Sequence, residues 1–180
     1  MFDHEMREAA EQVLLACRKK NLKVVTAESC TGGLIAAALT AIAGSSDVVE
    51  RAFITYSNEA KREMVGVPWD AILGHGAVSE PVARAMAAGA LARSNAQIAV
   101  SVTGVAGPGG GSAEKPVGLV HFAAQRAGFD AIVERHVFPG DRDQIRRLTV
   151  LTALAMVSAL ADRQAEYFPR LPTTVESAKR

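Results

Sequence analysis

Strand-like and helix-like segments alternate along the first half of this chain. Short β-branched segments are separated there by stretches rich in Ala, Leu and Met, which favour helix. Strands joined through helices lie parallel, with helices on both faces of their sheet. Later, only Arg126 to Asp130 joins two strand segments, a connection so short that it requires an antiparallel pair. The predicted strands are 22–27, 52–56, 96–102, 117–125 and 131–138.

These elements predict a three-layer α/β/α sandwich with a mixed, mostly parallel five-stranded sheet. Residues 1–168 are expected to form one domain, and residues 169–180 a polar, mobile tail. Asn58 is the predicted N-cap of the helix after the second strand. The predicted helices are 5–19, 31–43, 58–64, 79–93 and 141–167.

Composition narrows the class of protein. Lys and Arg (20) nearly balance Asp and Glu (19), and only 5% of the residues are aromatic, which argues against a nucleic-acid partner. The start of the chain is polar, and the apolar run 148–161 is too short to span a bilayer, so no membrane partner is expected. Two cysteines make a disulfide scaffold improbable, so a cytoplasmic protein is expected. Neither the cysteines nor the four histidines show metal-ligand spacing, so no metal is expected, and no cofactor is expected either.

The segment from Ala27 to Gly33, Ala-Glu-Ser-Cys-Thr-Gly-Gly, lies where a strand turns into a helix. A nucleophile such as Ser29 would find oxyanion donors in the same turn, and the N–H groups of Thr31 and Gly32 are the candidates. A plain helix N-cap followed by a tight turn explains the same residues equally well.

Lys61 is expected in the first turn of its helix, where a cation opposes the helix dipole. That field would lower the pKa of the amine and favour the neutral form that a general base needs. A solvated lysine balanced by Glu59 and Glu63 is the simpler alternative.

Ligands of parallel α/β sheets bind beyond the carboxyl ends of the strands. Ser29, Tyr56 and Thr103 each follow or end a predicted strand, so their hydroxyls and Lys61 should face one crevice. The glycine-rich loop 103–116 is suited to present N–H groups to an anion. Either this loop or Arg142 would hold a phosphate, although Arg142 could instead pair with its neighbour Asp143.

His75, between two glycines, is the rival base if the protein uses a serine–histidine pair. The sequence offers no other histidine in a flexible, polar setting. A lone loop histidine is usually incidental.

These motifs together resemble the CinA C-terminal domain family. The resemblance runs from about Glu5 to Ala161 and departs at no motif position. The matching segments are 27–33, 55–61, 74–81, 103–108, 115–118 and 140–142.

The resemblance implies a stand-alone nicotinamide-nucleotide amidase that converts nicotinamide mononucleotide (NMN) to nicotinate mononucleotide and ammonia. It also implies a metal-independent mechanism in which Ser29, Lys61 and Tyr56 are catalytic. The expected substrate contacts are Thr31, Gly32, Asn58, Thr103, Gly104, Gly107 and Arg142. NMN is the expected small-molecule partner. The protein could also form a homo-oligomer. The alternative is a non-catalytic nucleotide-binding or interaction module with the same crevice.

Overall fold

A computed structural model describes residues 2–163 of the chain. Five strands form one sheet in the order β2-β1-β3-β4-β5. The strands are β1 (Val24–Glu28), β2 (Val49–Ile54), β3 (Ile98–Gly104), β4 (Leu119–Arg126) and β5 (Ile132–Val137). The helices are α1 (His4–Lys19), α2 (Leu34–Thr40), α3 (Asn58–Val65), α4 (Trp69–His75), α5 (Glu80–Ala92) and α6 (Arg142–Asp162).

The sheet is mixed, as the sequence predicts. Strand β1 pairs in parallel with β2 and β3, whereas β4 is antiparallel to both β3 and β5. Strands β1 and β3 are central, and their side chains are buried on both faces. The carboxyl ends of β1, β2 and β3 consequently meet at one edge of the sheet.

Helices cover both faces and complete the three layers. On one face α1, α2 and α6 pack around a core that includes Leu14, Phe122 and Leu154. On the other face α5 packs on β1, β3 and β4, and α3 and α4 pack on α5, around Val65 and Met86. The predicted three-layer α/β/α class is confirmed.

Helix α6 has the length and mean hydropathy of a membrane span, but half of its most apolar window is buried in the protein. Its buried side chains contact α1 and the central strands, so it is a core helix. It ends at Asp162, because Arg163 has extended backbone angles (φ −57°, ψ 134°), five residues before the predicted end at Tyr167. The predicted tail, 169–180, lies outside the described residues.

Three other boundaries differ from the sequence prediction. Helix α2 begins at Leu34 rather than Thr31, because Gly32 (φ 60°) and Gly33 (φ 99°) have left-handed backbone angles. Strand β2 lies a few residues earlier, where it pairs with β1. Helix α4 was not predicted. Helix α3 ends at Val65, where Gly66 has left-handed backbone angles, and α4 begins directly after its N-cap Pro68.

Candidate active site

A cavity of about 330 Å³ lies beyond the carboxyl ends of β1 and β3. The topology brings together here most of the residues that the sequence predicts, because three parallel strands end at this edge. Eight predicted residues line the cavity: Ser29, Tyr56, Asn58, Lys61, Thr103, Gly104, Gly107 and Arg142. Thr31 and Gly32 do not line it.

The Lys61 amine, a possible base, lies next to the Ser29 hydroxyl, a possible nucleophile. Lys61 Nζ lies 3.0 Å from Ser29 Oγ, within hydrogen-bond distance. Lys61 is 1% exposed and Ser29 is 9% exposed. Strand β1 delivers the serine and α3 delivers the lysine, so the pair depends on how α3 packs against the sheet.

Burial lowers the pKa of Lys61, while the nearby Cys30 and Glu59 partly oppose this shift. In either protonation state, Lys61 Nζ donates hydrogen bonds to two backbone carbonyls, that of Thr55 at 2.9 Å and that of Tyr56 at 3.2 Å. A neutral amine has two hydrogens, so these two carbonyls would occupy both and leave its lone pair for the Ser29 hydroxyl. The arrangement can therefore accept a proton from Ser29.

The local start of α3 corrects one prediction. Ser57, not Asn58, is the N-cap, since the Ser57 hydroxyl accepts a hydrogen bond from the N–H of Ala60. Asn58 is the first helical residue, and it lines the cavity. Lys61 still falls in the first turn, where its N–H donates to the Ser57 carbonyl.

Cys30 lies beside the serine, but its thiol is a poor nucleophile. Burial raises the pKa of the Cys30 thiol to about 12, so the thiol is protonated near neutral pH. This supports Ser29 as the nucleophile in preference to Cys30.

The Tyr56 side chain is exposed and contacts Arg142 rather than the serine–lysine pair. Arg142 Nη2 donates to the Tyr56 hydroxyl at 3.3 Å, and Arg142 Nη1 donates to the Gly107 carbonyl at 2.7 Å. Tyr56 meets Lys61 through its backbone carbonyl only, among the contacts of residues 2–163. A proton path through the Tyr56 hydroxyl therefore has no support in this geometry.

The turn after Ser29 holds the two N–H groups predicted as oxyanion donors, those of Thr31 and Gly32. The Gly32 N–H donates to the Ser29 carbonyl at 3.1 Å, and Thr31 is fully buried away from the cavity. The Gly32 N–H is thus already bonded inside the turn, and the oxyanion role of these two N–H groups stays a prediction. Cys30, the residue after the nucleophile, does line the cavity, and within residues 2–163 its N–H donates to no backbone carbonyl and to no side chain of another residue.

Glu28 is a further residue of the site that the sequence analysis missed. Its carboxylate is fully buried and accepts hydrogen bonds from the N–H groups of Gly33, Ile35 and Ala36 at the start of α2. These N–H groups at the start of α2 are thus already used inside the fold, and none of them is one of the two oxyanion candidates, Thr31 and Gly32. An acidic residue inside an otherwise apolar strand was the signal that could have found it.

Two glycines shape the opposite wall of the cavity. A side chain at Gly104 would come within 2.6 Å of the Leu119 carbonyl, and Gly107 has a left-handed φ of 74°. Thr103 donates its hydroxyl proton to the Ala77 carbonyl at 2.8 Å, which holds the 77–78 segment against the cavity. This bond uses the hydroxyl hydrogen of Thr103, which lines the cavity and whose oxygen can still accept a hydrogen bond from a ligand.

His75, the rival base, does not line the cavity. It is the last residue of α4, and its carbonyl accepts a hydrogen bond from Lys115 Nζ. Over residues 2–163 no group of three or more His, Cys, Asp or Glu side chains could hold a metal ion.

The charge of the cavity wall predicts the charge of its ligand. Lys61 and Arg142 are the charged side chains that line it within the described part of the chain, and both are basic. Because the Arg142 guanidinium stays protonated whatever the state of the Lys61 amine, its part of the cavity favours an anionic group of a ligand.

Fold and site together define an α/β protein with a buried serine–lysine pair beneath a cationic cavity. The chain belongs to the CinA C-terminal domain family, whose sequence profile matches residues 6–161.

Characterised relatives and solved structures agree with this assignment. The chain is 52% identical over 154 residues to nicotinamide-nucleotide amidohydrolase PncC of Escherichia coli K12, covering 86% of this chain and 93% of the relative. It is 49% identical to a longer CinA-like protein of Citrifermentans bemidjiense, of which it covers 37%. The crystal structure of a competence/damage inducible protein from Agrobacterium tumefaciens matches with a TM-score of 0.87 and 52% identity, over 89% of this chain and 98% of that one.

Proposed function

We propose that this protein is a nicotinamide-nucleotide amidohydrolase that cleaves the carboxamide of NMN to give nicotinate mononucleotide and ammonia. The observation that carries the proposal is the buried contact of 3.0 Å between Lys61 Nζ and Ser29 Oγ. The similarity to the E. coli amidohydrolase over most of both chains supplies the substrate class.

In the first half-reaction, Ser29 Oγ attacks the carboxamide carbon while the neutral Lys61 amine takes the hydroxyl proton. The carbonyl oxygen becomes an oxyanion, for which the Cys30 N–H is the proposed donor. The tetrahedral adduct collapses as the carbon–nitrogen bond breaks. The Lys61 ammonium returns its proton to the departing nitrogen, which leaves as ammonia.

In the second half-reaction, water attacks the ester formed on Ser29. Lys61 now takes a proton from this water, and the second tetrahedral adduct expels the Ser29 oxygen, which recovers the proton from Lys61. The product carries a carboxylate in place of the carboxamide. Lys61 thus acts as base and then acid in each half, with no metal in any step.

The phosphate of NMN is assigned to Arg142 and the glycine-rich loop. Arg142 already bridges the Gly107 carbonyl and the Tyr56 hydroxyl, so its guanidinium is fixed at the cavity wall. In this assignment Tyr56 and Asn58 contact the nucleotide rather than move protons.

The experiment that tests the function measures ammonia and nicotinate mononucleotide released from NMN by the purified chain. We expect the two products in equal amounts, and none from Ser29→Ala. Hydroxylamine tests the intermediate, because it intercepts an ester on Ser29 and gives the hydroxamate of the nucleotide. NMN binding without release of ammonia would instead indicate a non-catalytic binding module.

A further inference from the structure

The turn that carries Ser29 is hydrogen-bonded to the buried carboxylate of Glu28. Glu28 accepts five hydrogen bonds, three from backbone N–H groups of Gly33, Ile35 and Ala36 and two from the hydroxyls of Thr26 and Thr31. The shortest joins the Thr31 hydroxyl to Glu28 Oε2 at 2.7 Å. The negative charge of Glu28 is therefore compensated by donors on both sides of the nucleophile.

The same turn is held from the other side by α6. Arg146 Nη2 donates to the Thr31 carbonyl at 2.9 Å, across 115 residues of sequence. Arg146 Nε is buried and has no hydrogen-bond partner within the described residues. A buried N–H without a partner lowers the stability of the folded protein. Because Arg146 contacts the Thr31 carbonyl despite this cost, we infer that the contact serves function.

Thr31 is thus fixed at two atoms, its hydroxyl oxygen by Glu28 and its carbonyl oxygen by Arg146. The Gly32 N–H closes the turn onto the Ser29 carbonyl. Within residues 2–163, Cys30 and Thr31 are the members of this turn whose N–H groups donate to no backbone carbonyl and to no side chain of another residue, and Cys30 lines the cavity.

We propose that Glu28 and Arg146 are positioning residues that hold the Ser29–Gly32 turn so that the Cys30 N–H stabilises the oxyanion formed at the carboxamide. The proposal rests on the proposed amidohydrolase function. Neither residue lines the cavity, so each acts through the backbone of the turn. A donor fixed before the reaction needs no reorganisation as charge develops, and misplacement by about 1 Å costs up to roughly 10²-fold in rate.

The principal variant is Arg146→Met, since Arg146 is only partly buried and its removal should not unfold the domain. We expect kcat for NMN to fall roughly 10- to 100-fold with KM nearly unchanged. Arg146→Lys, which can still donate to the Thr31 carbonyl, should recover most of the loss. The matched control is Arg147→Met on the same helix, because Arg147 pairs with Asp3 and Glu5 at the surface. That control should keep wild-type turnover.

A sulfur-substituted substrate separates positioning from a general loss of structure. The thiocarboxamide analogue of NMN presents a sulfur, which is a weaker hydrogen-bond acceptor than oxygen. If Arg146 and Glu28 aim the oxyanion donor, Arg146→Met and Glu28→Gln should lose more activity on the carboxamide than on the thiocarboxamide. Equal losses on both substrates would overturn the proposal, as would unchanged kcat in Arg146→Met.

A second readout does not depend on NMN being the substrate. A small alkyl fluorophosphonate reacts as the Ser29 oxygen bonds to phosphorus, fluoride leaves and Lys61 takes the proton, with the phosphoryl oxygen in the oxyanion position. Labelling of Ser29 should slow roughly 10-fold or more in Arg146→Met, but not in Arg147→Met. Absence of NMN turnover with this difference in labelling would reject the proposed substrate and keep the positioning role. Equal labelling rates in the two variants would overturn the positioning role.

Discussion

At the scale of single residues, the adjacent Ser29 and Cys30 are both possible nucleophiles, and their different environments favour Ser29. Ser29 Oγ lies 3.0 Å from a buried amine, whereas burial raises the pKa of the Cys30 thiol to about 12. We expect Ser29→Ala to abolish ammonia release and Cys30→Ala to retain most of it. Thermal unfolding of both variants serves as the control for folding. An active Ser29→Ala protein would exclude Ser29 as the nucleophile.

Lys61 gives a prediction for both rate and stability. Its pKa is lowered from 10.5 by burial, so kcat should rise with pH through a group that titrates below an ordinary lysine. Lys61→Arg keeps the charge but cannot supply a neutral base, so its turnover should be as low as that of Lys61→Met. Turnover of Lys61→Arg close to wild type would show that Lys61 is not the base.

The same shift links stability to pH. Between the lowered folded pKa of Lys61 and its unfolded value, the unfolded chain binds one more proton than the folded protein, so the free energy of unfolding rises with pH. The contribution of Lys61 to the free energy of unfolding is complete above the unfolded pKa of the amine, and it is lost as the pH falls through the folded pKa. Denaturant titrations should therefore show wild type gaining stability relative to Lys61→Met as pH rises in this window. Parallel pH profiles would contradict the shift.

Arg142 tests the assignment of the phosphate. Arg142→Met should raise KM for NMN at least 10-fold, since a charge-assisted contact to phosphate is worth about 1.5–3 kcal/mol. It should change kcat/KM much less for nicotinamide riboside, which lacks the phosphate. Equal effects on the two substrates would place the phosphate elsewhere. Arg84→Met, which removes an exposed pair with Glu80, is the control.

At the scale of elements, the position of Lys61 depends on the close packing of α3 against α5. A side chain at Gly89 of α5 would meet the carbonyl oxygen of Val65, the last residue of α3, at 1.7 Å. Gly89→Ala should therefore push α3 outward, cost about 1–3 kcal/mol of stability and lower kcat by moving Lys61 from Ser29. Gly74→Ala in α4, where the added methyl meets nothing within 4 Å, is the matched control. Loss of stability without loss of kcat would uncouple this packing from the site.

At the scale of the whole molecule, the described residues bring no three metal-binding side chains together. Exhaustive dialysis against EDTA should therefore leave kcat and the unfolding temperature unchanged. Activity lost on chelation and restored by one divalent ion would reject the serine–lysine mechanism. Activity restored by every ion tested would point instead to the substrate phosphate as the metal ligand.

The sequence by itself determined the class of fold and the main chemical groups. Alternating β-branched and helical segments specify parallel strands, whose carboxyl ends meet at one edge of the sheet. This is why the sequence predicts one crevice for Ser29, Tyr56 and Thr103, together with Lys61. These inferences succeed because they depend on periodicity and chain connection, which are properties of neighbouring residues.

Only the tertiary structure decided which atoms are free to react. The contacts that occupy the Tyr56 hydroxyl and fix the Thr31 carbonyl cross 86 and 115 residues, and no local pattern encodes them. Glu28 accepts hydrogen bonds from the N–H groups of Gly33, Ile35 and Ala36, so these donors at the N-terminus of α2 are not available to a ligand. A backbone N–H that is hydrogen-bonded inside the protein is not available to a ligand. Which N–H groups are bonded in this way depends on how elements distant in sequence pack together.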